Sequence, residues 1–304
     1  MKTPALVLLP LLLLAGAARA GDPLFFSYFR NNGEDGLHMA ASDDGLNWRA
    51  LHGGQSLLEP KVGESKLMRD PSITRGPDGT FHMVWTTSWE GRSLGYASSK
   101  DLVNWTAQRV VPNTLEGEIV NSWAPEIFYD APSKEFVIVW ASTVRGRFPE
   151  TQGKGNREYN HRQFIIRTRD FQTFTKPELF LDPGFQVIDA AIFRHGKRYV
   201  VVAKNETLTP PAKYLFLTLA DSLRGPWSKA SEPISGNEWA EGPTPVRIGA
   251  WWYIYFDKYR DHRYGVIRSK DLRRWEDLSP QLVFPEGARH GTVFAAPRAL
   301  LKGI

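Results

Sequence analysis

The sequence of 304 residues contains no cysteine. Disulfide bonds and thiolate metal sites are therefore excluded, and so is a lipid anchor attached through a cysteine. A folded form must gain its stability from its apolar core alone. A chain of this size can do so, because about 300 residues bury about three quarters of the surface that the unfolded chain exposes.

Long apolar runs are also scarce, and the one that is present lies over residues 5–16. It is shorter than the roughly 20 residues that a membrane span requires. Lys2 precedes this run and a small-x-small sequence, residues 18–20, follows it, as in secretory signal peptides. We therefore predict a signal peptide over residues 1–20, export by a bacterial cell to the periplasm or the medium, and no membrane association after cleavage.

A concentration of charge of one sign is missing too. The 38 basic and 33 acidic residues are interspersed, the net charge is +5, and the densest basic stretch spans residues 145–157. A protein that binds nucleic acid is expected to present a clustered basic face. We therefore predict no nucleic-acid partner, and we expect a monomer with an ordinary solvated surface.

Helical periodicity is absent from any long stretch, whereas the 11 Trp, 10 Tyr and 17 Phe occur in short runs between turn residues, which is typical of all-β proteins. One pattern recurs about every fifty residues. It consists of a strand, a Ser or Thr, a turn with Asp or Asn, and an aromatic residue, and a further aromatic strand precedes it. The aromatic residues of the five copies are Trp48, Trp105, Phe174, Trp227 and Trp275.

A unit of this kind cannot bury both of its faces alone, and radial repetition solves that problem. The sequence thus predicts a single domain over residues 21–304 that folds as a five-bladed β-propeller. Residues 282–297 hold one strand without a partner unit, so we expect this strand to join the N-terminal copy and close the ring. We interpret the repeated aromatic residues as wedges between blades.

An acidic residue lies ten or eleven positions before four of the aromatic strands: Asp70, Glu126, Asp189 and Glu241. Equivalent positions of a radial repeat face one axis, so we expect four carboxylates in one pocket. Burial of an ionised carboxylate is costly unless the group is paired. A structural role is the alternative interpretation, above all for Asp70, which precedes a proline, but four such acids together favour a functional role.

Carboxylates that share a pocket push their pKa values apart, so that one stays protonated while another is ionised. Hydrolysis of a glycosidic bond needs this combination, because an acid must protonate the leaving oxygen and a base must activate water. Aromatic side chains, whose flat faces suit sugar rings, flank the acids. They are Trp85, Trp89, Trp123, Trp239 and Tyr259.

The acids belong to segments that occur in a specific order: Arg69-Asp70-Pro71-Ser72-Ile73, Trp123-Ala124-Pro125-Glu126, Ile188-Asp189-Ala190-Ala191-Ile192-Phe193, Glu241-Gly242-Pro243 and Arg289-His290-Gly291-Thr292. In this order and spacing they resemble the motifs of glycoside hydrolase family 43, and the resemblance extends over essentially all of residues 21–304. It implies a five-bladed propeller, an inverting mechanism and an oligo- or polysaccharide substrate.

The resemblance also implies a role for each motif residue. Asp70 would be the general base, Glu241 the general acid, and Asp189 the residue that tunes the pKa of the acid and orients it. The predicted substrate contacts are Glu126, Trp123, Trp89, Trp239, Arg289 and His290. No cofactor is required and no metal ligands are assigned, although the resemblance is compatible with a structural calcium ion.

The substrate stays open at this point, since the family covers arabinofuranosides, xylosides, galactans and galactofuranosides. Two departures from its pattern contribute to this: Asp189 precedes Ala where Pro is usual, and Glu126 stands where many members have Asp. We expect an exo-acting enzyme for arabinofuranosyl, galactofuranosyl or xylosyl residues. The alternatives are a non-catalytic carbohydrate-binding propeller and a sialidase-like hydrolase, which would need an arginine cluster, a tyrosine nucleophile and usually six blades.

Overall fold

The computed structural model describes residues 21–236 and 238–304, which form β-strands and four short 3₁₀-helices. The strands are β1 (Leu24–Phe29), β2 (His38–Ser42), β3 (Arg49–Ala50), β4 (Arg69–Arg75), β5 (Phe81–Thr86), β6 (Ser93–Ser99), β7 (Arg109–Pro112), β8 (Trp123–Asp130), β9 (Glu135–Ser142), β10 (Arg162–Thr168), β11 (Glu178–Leu181), β12 (Val187–His195), β13 (Arg198–Asn205), β14 (Leu215–Ala220), β15 (Glu241–Ile248), β16 (Trp251–Lys258), β17 (Arg263–Ser269), β18 (Glu276–Asp277) and β19 (Arg289–Ala295). The helices are His52–Gly54, Pro149–Thr151, Ser279–Gln281 and Arg298–Lys302.

Within this part of the chain, no helix has the length and apolar character that a membrane crossing requires. The predicted signal peptide, residues 1–20, lies outside the described residues.

The strands form five antiparallel sheets, here numbered as blades from inner to outer strand: blade 1 (β19-β1-β2-β3), blade 2 (β4-β5-β6-β7), blade 3 (β8-β9-β10-β11), blade 4 (β12-β13-β14) and blade 5 (β15-β16-β17-β18). The inner strands contact one another in ring order, which confirms the five-bladed propeller. The C-terminal strand β19 pairs with β1 from Leu24↔Ala295 to Phe29↔Arg289, so the ring closes as predicted.

The aromatic residue at the end of each copy fills space between blades, as Trp48 illustrates. Trp48 is buried, and its ring meets the ring of Tyr255 in blade 5 edge to face at 5.6 Å. The Tyr255 hydroxyl donates a hydrogen bond of 2.7 Å to the carbonyl of Gly45, in the turn that precedes Trp48. Such packing buries apolar surface that neither blade could cover alone, which confirms the wedge interpretation for this residue.

Every inner strand carries a one-residue β-bulge near its first residue. The residues in these bulges are Asp70, Ala124, Asp189, Gly242 and His290. The first four have a left-handed φ of 46° to 58°, a conformation that is strained for residues other than glycine and is concentrated at functional sites. Bulges of this kind bend a strand and redirect its side chains.

The four predicted acids all lie at this end of the inner strands, but the expectation that their positions are strictly equivalent is wrong. Asp70 and Asp189 lie in the bulge itself, Glu241 lies one residue before it, and Glu126 lies two residues after Ala124. The physical reason is the bulge, because it adds a residue to each strand and thereby breaks the simple alternation of side chains.

The ring closure yields a stability prediction at Gly291 in β19. A Cβ at this position would lie 1.7 Å from the backbone carbonyl oxygen of Ser27 in β1. We expect Gly291→Ala to lower the free energy of unfolding by about 2 kcal/mol, because overpacking typically costs ~1–3 kcal/mol. Urea denaturation measures the change. Gly303→Ala is the control, since its Cβ would meet only the Leu300 carbonyl at 3.8 Å; equal stability of the two variants would contradict close packing of β19 on β1.

Candidate active site

Asp70 is held in the bulge of β4 by groups from two blades. The hydroxyl of Thr86 donates to Oδ2 at 2.8 Å, and Nδ1 of His290 lies 3.3 Å from Oδ1. Burial alone would raise the pKa of Asp70, but His290, Arg69 and Thr86 hold it below the ordinary value of 3.8. The carboxylate is therefore ionised at neutral pH, as a general base must be.

His290 occupies the equivalent bulge of β19, and its side chain is 7% exposed. Burial alone would lower its pKa, but the negative charges of Asp189, Asp70 and Glu126 raise the pKa to about 10. The imidazole packs directly on Gly242, where a Cβ would lie 2.4 Å from the ring. An imidazolium ion thus lies among three carboxyl groups where the inner strands meet.

Asp189 lies in the bulge of β12 and is almost fully buried. Its Oδ2 accepts a hydrogen bond of 2.9 Å from the backbone N–H of Gly242, the residue that follows Glu241. Burial raises the pKa of Asp189 to about 6, and the charge of Glu241 contributes to the increase. Asp189 therefore fixes the backbone that carries Glu241 and interacts with its carboxylate electrostatically.

Glu241 is more open to solvent than Asp70, with 22% against 12% of the side chain exposed. Nζ of the buried Lys204 lies 3.0 Å from Oε2, and Nη2 of Arg289 lies 3.4 Å from Oε1. Arg289 also donates from Nε to Oδ2 of Asp257 at 2.7 Å. Burial raises the pKa of Asp257 to about 6. Glu241 thus belongs to a network of two cations and a second carboxyl group.

Glu126 makes a different kind of contact from the other three acids. It is 8% exposed, and its Oε2 accepts a hydrogen bond of 2.7 Å from the hydroxyl of Ser72 in blade 2. Burial raises the pKa of Glu126 to about 7. The contact links the inner strands of blades 2 and 3, and a role in substrate binding stays a prediction.

Trp89 and Trp123 meet edge to face, with ring centroids 5.5 Å apart. Nε1 of Trp123 donates to the carbonyl of Trp89 at 2.7 Å. Both line a cleft of about 440 Å³ that residues from blades 2, 3 and 4 form. The rest of its lining is Glu90, Asn156, Arg157, Tyr159, His161, Gln186 and Glu206. The cleft therefore lies beside the catalytic candidates rather than on them.

The third predicted tryptophan, Trp239, lies elsewhere in the site. Its ring is 6.1 Å from the ring of Tyr259, and Nζ of Lys204 lies 4.5 Å from the centre of the Tyr259 ring. Trp239 thus adjoins the network around Glu241, whereas the other two predicted tryptophans line the cleft.

Three residues that contact the predicted acids were not predicted: Thr86, Lys204 and Asp257. Thr86 and Lys204 pair across the strands with the residue before the bulge, and Asp257 pairs with Glu241 itself. Each is the sixth residue of its stretch in the second strand of its blade, in FHMVWT, YVVVAK and WYIYFD. A polar residue at the same position of otherwise apolar strands is the sequence signal that could have identified them.

A family model described as a probable glycosyl hydrolase domain, related to family 43, matches residues 22–299. The chain belongs to this family. The fold and the family resemblance expected from the sequence are both confirmed, and the domain is a glycoside hydrolase.

Relatives of this glycosyl hydrolase domain include an alpha-L-arabinofuranosidase from Bifidobacterium longum subsp. longum, 25% identical over 260 residues. The match covers 72% of the chain but only 24% of that relative, so the chain spans about a quarter of the relative's length. Solved structures with the same fold include an exo-beta-1,3-galactanase from Phanerochaete chrysosporium (TM-score 0.63, 15% identity, 87% of this chain and 62% of that one). Another is an alpha-L-arabinofuranosidase from Lactobacillus brevis (TM-score 0.53, 17% identity, 70% and 72%).

In the described part of the hydrolase domain, no group of three or more His, Asp or Glu side chains is arranged as a metal site. The structural calcium ion that the family resemblance allows remains a prediction.

The environment of His290 predicts a pH-dependent stability of the hydrolase domain. Its folded-state pKa of about 10 exceeds the ordinary 6.5, so its contribution to stability is fully present below pH 6.5 and is lost as the pH rises through about 10. We expect His290→Gln to be less stable than the wild type at about pH 6, and the difference in unfolding free energy to shrink towards about pH 10. Urea denaturation across this range measures it, and a constant difference would contradict the buried imidazolium.

Proposed function

We propose that the domain hydrolyses a glycosidic bond with inversion of configuration, with Asp70 as the general base and Glu241 as the general acid. The contrast between the environments of the two carboxyl groups carries the proposal. Asp70 is enclosed, bonded to Thr86 and His290, and has a lowered pKa. Glu241 is more exposed and lies on a different blade, where it can meet a leaving group.

In the proposed reaction, a water molecule beside Asp70 attacks the anomeric carbon while Asp70 takes one of its protons. The contacts with Thr86 and His290 keep Asp70 ionised and orient it for this step. As the glycosidic C–O bond breaks, Glu241 gives its proton to the departing oxygen. The products are a hemiacetal with inverted configuration and a free hydroxyl group, and exchange with solvent returns both carboxyl groups to their starting states.

Three contacts support the acid role of Glu241. Lys204 and Arg289 fix its two carboxyl oxygens, and Asp189 fixes the backbone amide that follows it. Asp189 and Asp257 both have pKa values raised to about 6, so this cluster of carboxyl groups retains protons at mildly acidic pH. We propose that Asp189 tunes and orients the acid through these interactions.

The placement of the two carboxyl groups in the ring supports inversion. Asp70 lies on blade 2 and Glu241 on blade 5, with blade 1 and its His290 between them. An inverting enzyme needs its two carboxyl groups about 6.5–9.5 Å apart, so that a water molecule fits between the base and the sugar. Two non-adjacent blades that face a common axis are suited to such a separation.

For the substrate, we propose exo-cleavage of an arabinofuranosyl residue from an oligo- or polysaccharide, with galactofuranosyl and xylosyl residues as the alternatives. The support is the family membership together with a distant relative described as an alpha-L-arabinofuranosidase. Because that likeness is 25% over a quarter of the relative, it ranks the sugars to be tested first. On the sequence of residues 1–20, we further propose export to the periplasm or the medium.

The two alternative functions fit the site less well. A carbohydrate-binding propeller without activity has no need of a carboxylate held ionised beside an imidazolium, as Asp70 is. A sialidase-like enzyme needs several arginines free to bind the substrate carboxylate. Here Arg289 is paired with Asp257 and Glu241, and Arg69 stacks on Trp89 and donates to an asparagine side chain.

The proposal is tested with p-nitrophenyl glycosides of α-L-arabinofuranose, β-D-galactofuranose, β-D-xylose and β-D-galactose. We expect turnover of one or two of them, and a loss of at least about 10³-fold in kcat/KM for Asp70→Asn, because the base acts only in the transition state. Release of p-nitrophenol is the measurement.

Asp221→Asn is the matched control, because Asp221 is 94% exposed and contacts only Arg198 at 3.6 Å among the described ion pairs. It should retain wild-type activity. Turnover that survives in Asp70→Asn would overturn the assignment of the base, whereas inactivity of the wild type on the panel and on arabinan would favour the binding propeller.

A further inference from the structure

The cleft beside the catalytic candidates has a continuous aromatic wall, and we call it the aromatic cleft. The wall consists of Trp89, Trp123, Tyr159 and His161. Trp123 lies 5.5 Å from Trp89, 4.6 Å from Tyr159 and 4.8 Å from His161, and the last two rings stack at 5.1 Å. Trp89 is 48% exposed. Aromatic faces of this kind, accessible from one side, bind the apolar faces of sugar rings.

A buried imidazole in this wall has a hydrogen-bond donor without a partner. Burial lowers the pKa of His161 to about 3, so the ring is neutral and carries one proton. Nε2 faces Nδ2 of Asn121 at 3.0 Å, and that amide is oriented by the bond from the Thr143 N–H to its Oδ1. Nε2 must therefore accept, which places the proton on Nδ1, and Nδ1 has no partner among the described residues.

A buried acceptor lies in the same lining. Gln186 is fully buried, and its Oε1 has no hydrogen-bond partner in the part of the chain that the structure describes. The cleft thus contains one unpaired donor and one unpaired acceptor. A sugar hydroxyl can accept from the first and donate to the second, which a purely apolar or a purely anionic ligand cannot do.

The charges around the cleft are balanced, which favours a neutral ligand. The carboxylate of Glu206 pairs with Lys204 at 2.7 Å and also with Lys213. Lys204 at the same time contacts Glu241 at 3.0 Å. The lining of the cleft is therefore connected to the proposed general acid through a single side chain.

The cleft is also close to the carboxylates along the chain. Gln186 precedes Asp189 by three residues of extended chain, a distance of roughly 10 Å at the usual rise per residue. Trp123 directly precedes Ala124, the bulge residue of β8. A sugar chain whose terminal unit lies between Asp70 and Glu241 could thus place its next unit in the cleft.

We propose that the aromatic cleft binds the neutral sugar unit adjacent to the one that is cleaved off, so that the preferred substrate contains at least two sugar units. This inference rests on the proposed function, since it assigns the neighbouring subsite of the same reaction. Tyr159, His161 and Gln186 are its specificity-determining residues.

The test compares a trisaccharide with an aryl glycoside of the same sugar. The probes are 1,5-α-L-arabinotriose and β-1,3-galactotriose, each with its matching p-nitrophenyl glycoside. We expect Tyr159→Ala and Gln186→Met to lower kcat/KM for the trisaccharide about tenfold more than for the aryl glycoside, because only the trisaccharide reaches the cleft. Tyr129→Ala is the control: Tyr129 is a half-buried aromatic residue near the other end of β8 and should leave this ratio unchanged.

Calorimetric titration separates this inference from the proposed reaction. The trisaccharides are titrated into Asp70→Asn and into Asp70→Asn combined with Tyr159→Ala, with melting curves to confirm that both fold. Binding that is weakened about tenfold by the second substitution supports the subsite, even if the wild type cleaves neither probe. Equal binding by both variants, an equal loss on trisaccharide and aryl glycoside, or no binding at all would overturn the inference.

Discussion

The site is organised around one buried cation, the imidazolium of His290. The inner strands of all five blades meet at one axis, and three of them bring carboxyl groups to this ring: Asp70, Asp189 and Glu126. Several buried carboxylates without a counter-charge would be strongly unfavourable. The imidazolium offsets part of that cost, and its ring packs so closely on Gly242 that no side chain fits at that position.

The carboxyl groups around this cation differ in charge state because their remaining partners differ. Asp70 also has Thr86 and Arg69, and its pKa falls below the ordinary value. Asp189 receives one backbone N–H and its pKa rises to about 6, while the pKa of Glu126 rises to about 7. A propeller with one repeated strand pattern thus obtains chemically distinct carboxyl groups, because each blade supplies a different neighbour.

The fold was predictable because its determinants recur along the chain. Five copies of a strand, turn and aromatic residue indicated five blades, and the unpartnered strand near Gly291 indicated the ring closure. The acids were predictable as a group, since they precede similar strands. Their registers were not, because a bulge shifts Glu126 and Glu241 relative to Asp70 and no single residue type marks it.

The partners of the acids were harder to infer from the sequence. Lys204 lies in a strand that reads as core, and only comparison with the same position of the other blades distinguishes it. The aromatic cleft depends on residues that are distant in sequence, such as Trp89, Tyr159 and Gln186. No repeat relates these residues, since they belong to connections that differ from blade to blade.

The most direct test of the mechanism is the anomeric configuration of the sugar when it is first released. Proton NMR of a fresh reaction, with the aryl glycoside that the enzyme turns over, observes the anomer before it equilibrates in water. A carboxylate base on blade 2 and an acid on blade 5, with water between the base and the sugar, predict that the first anomer has the configuration opposite to that of the substrate. Initial release of the anomer with the substrate's configuration would contradict this account, because it would require a covalent intermediate.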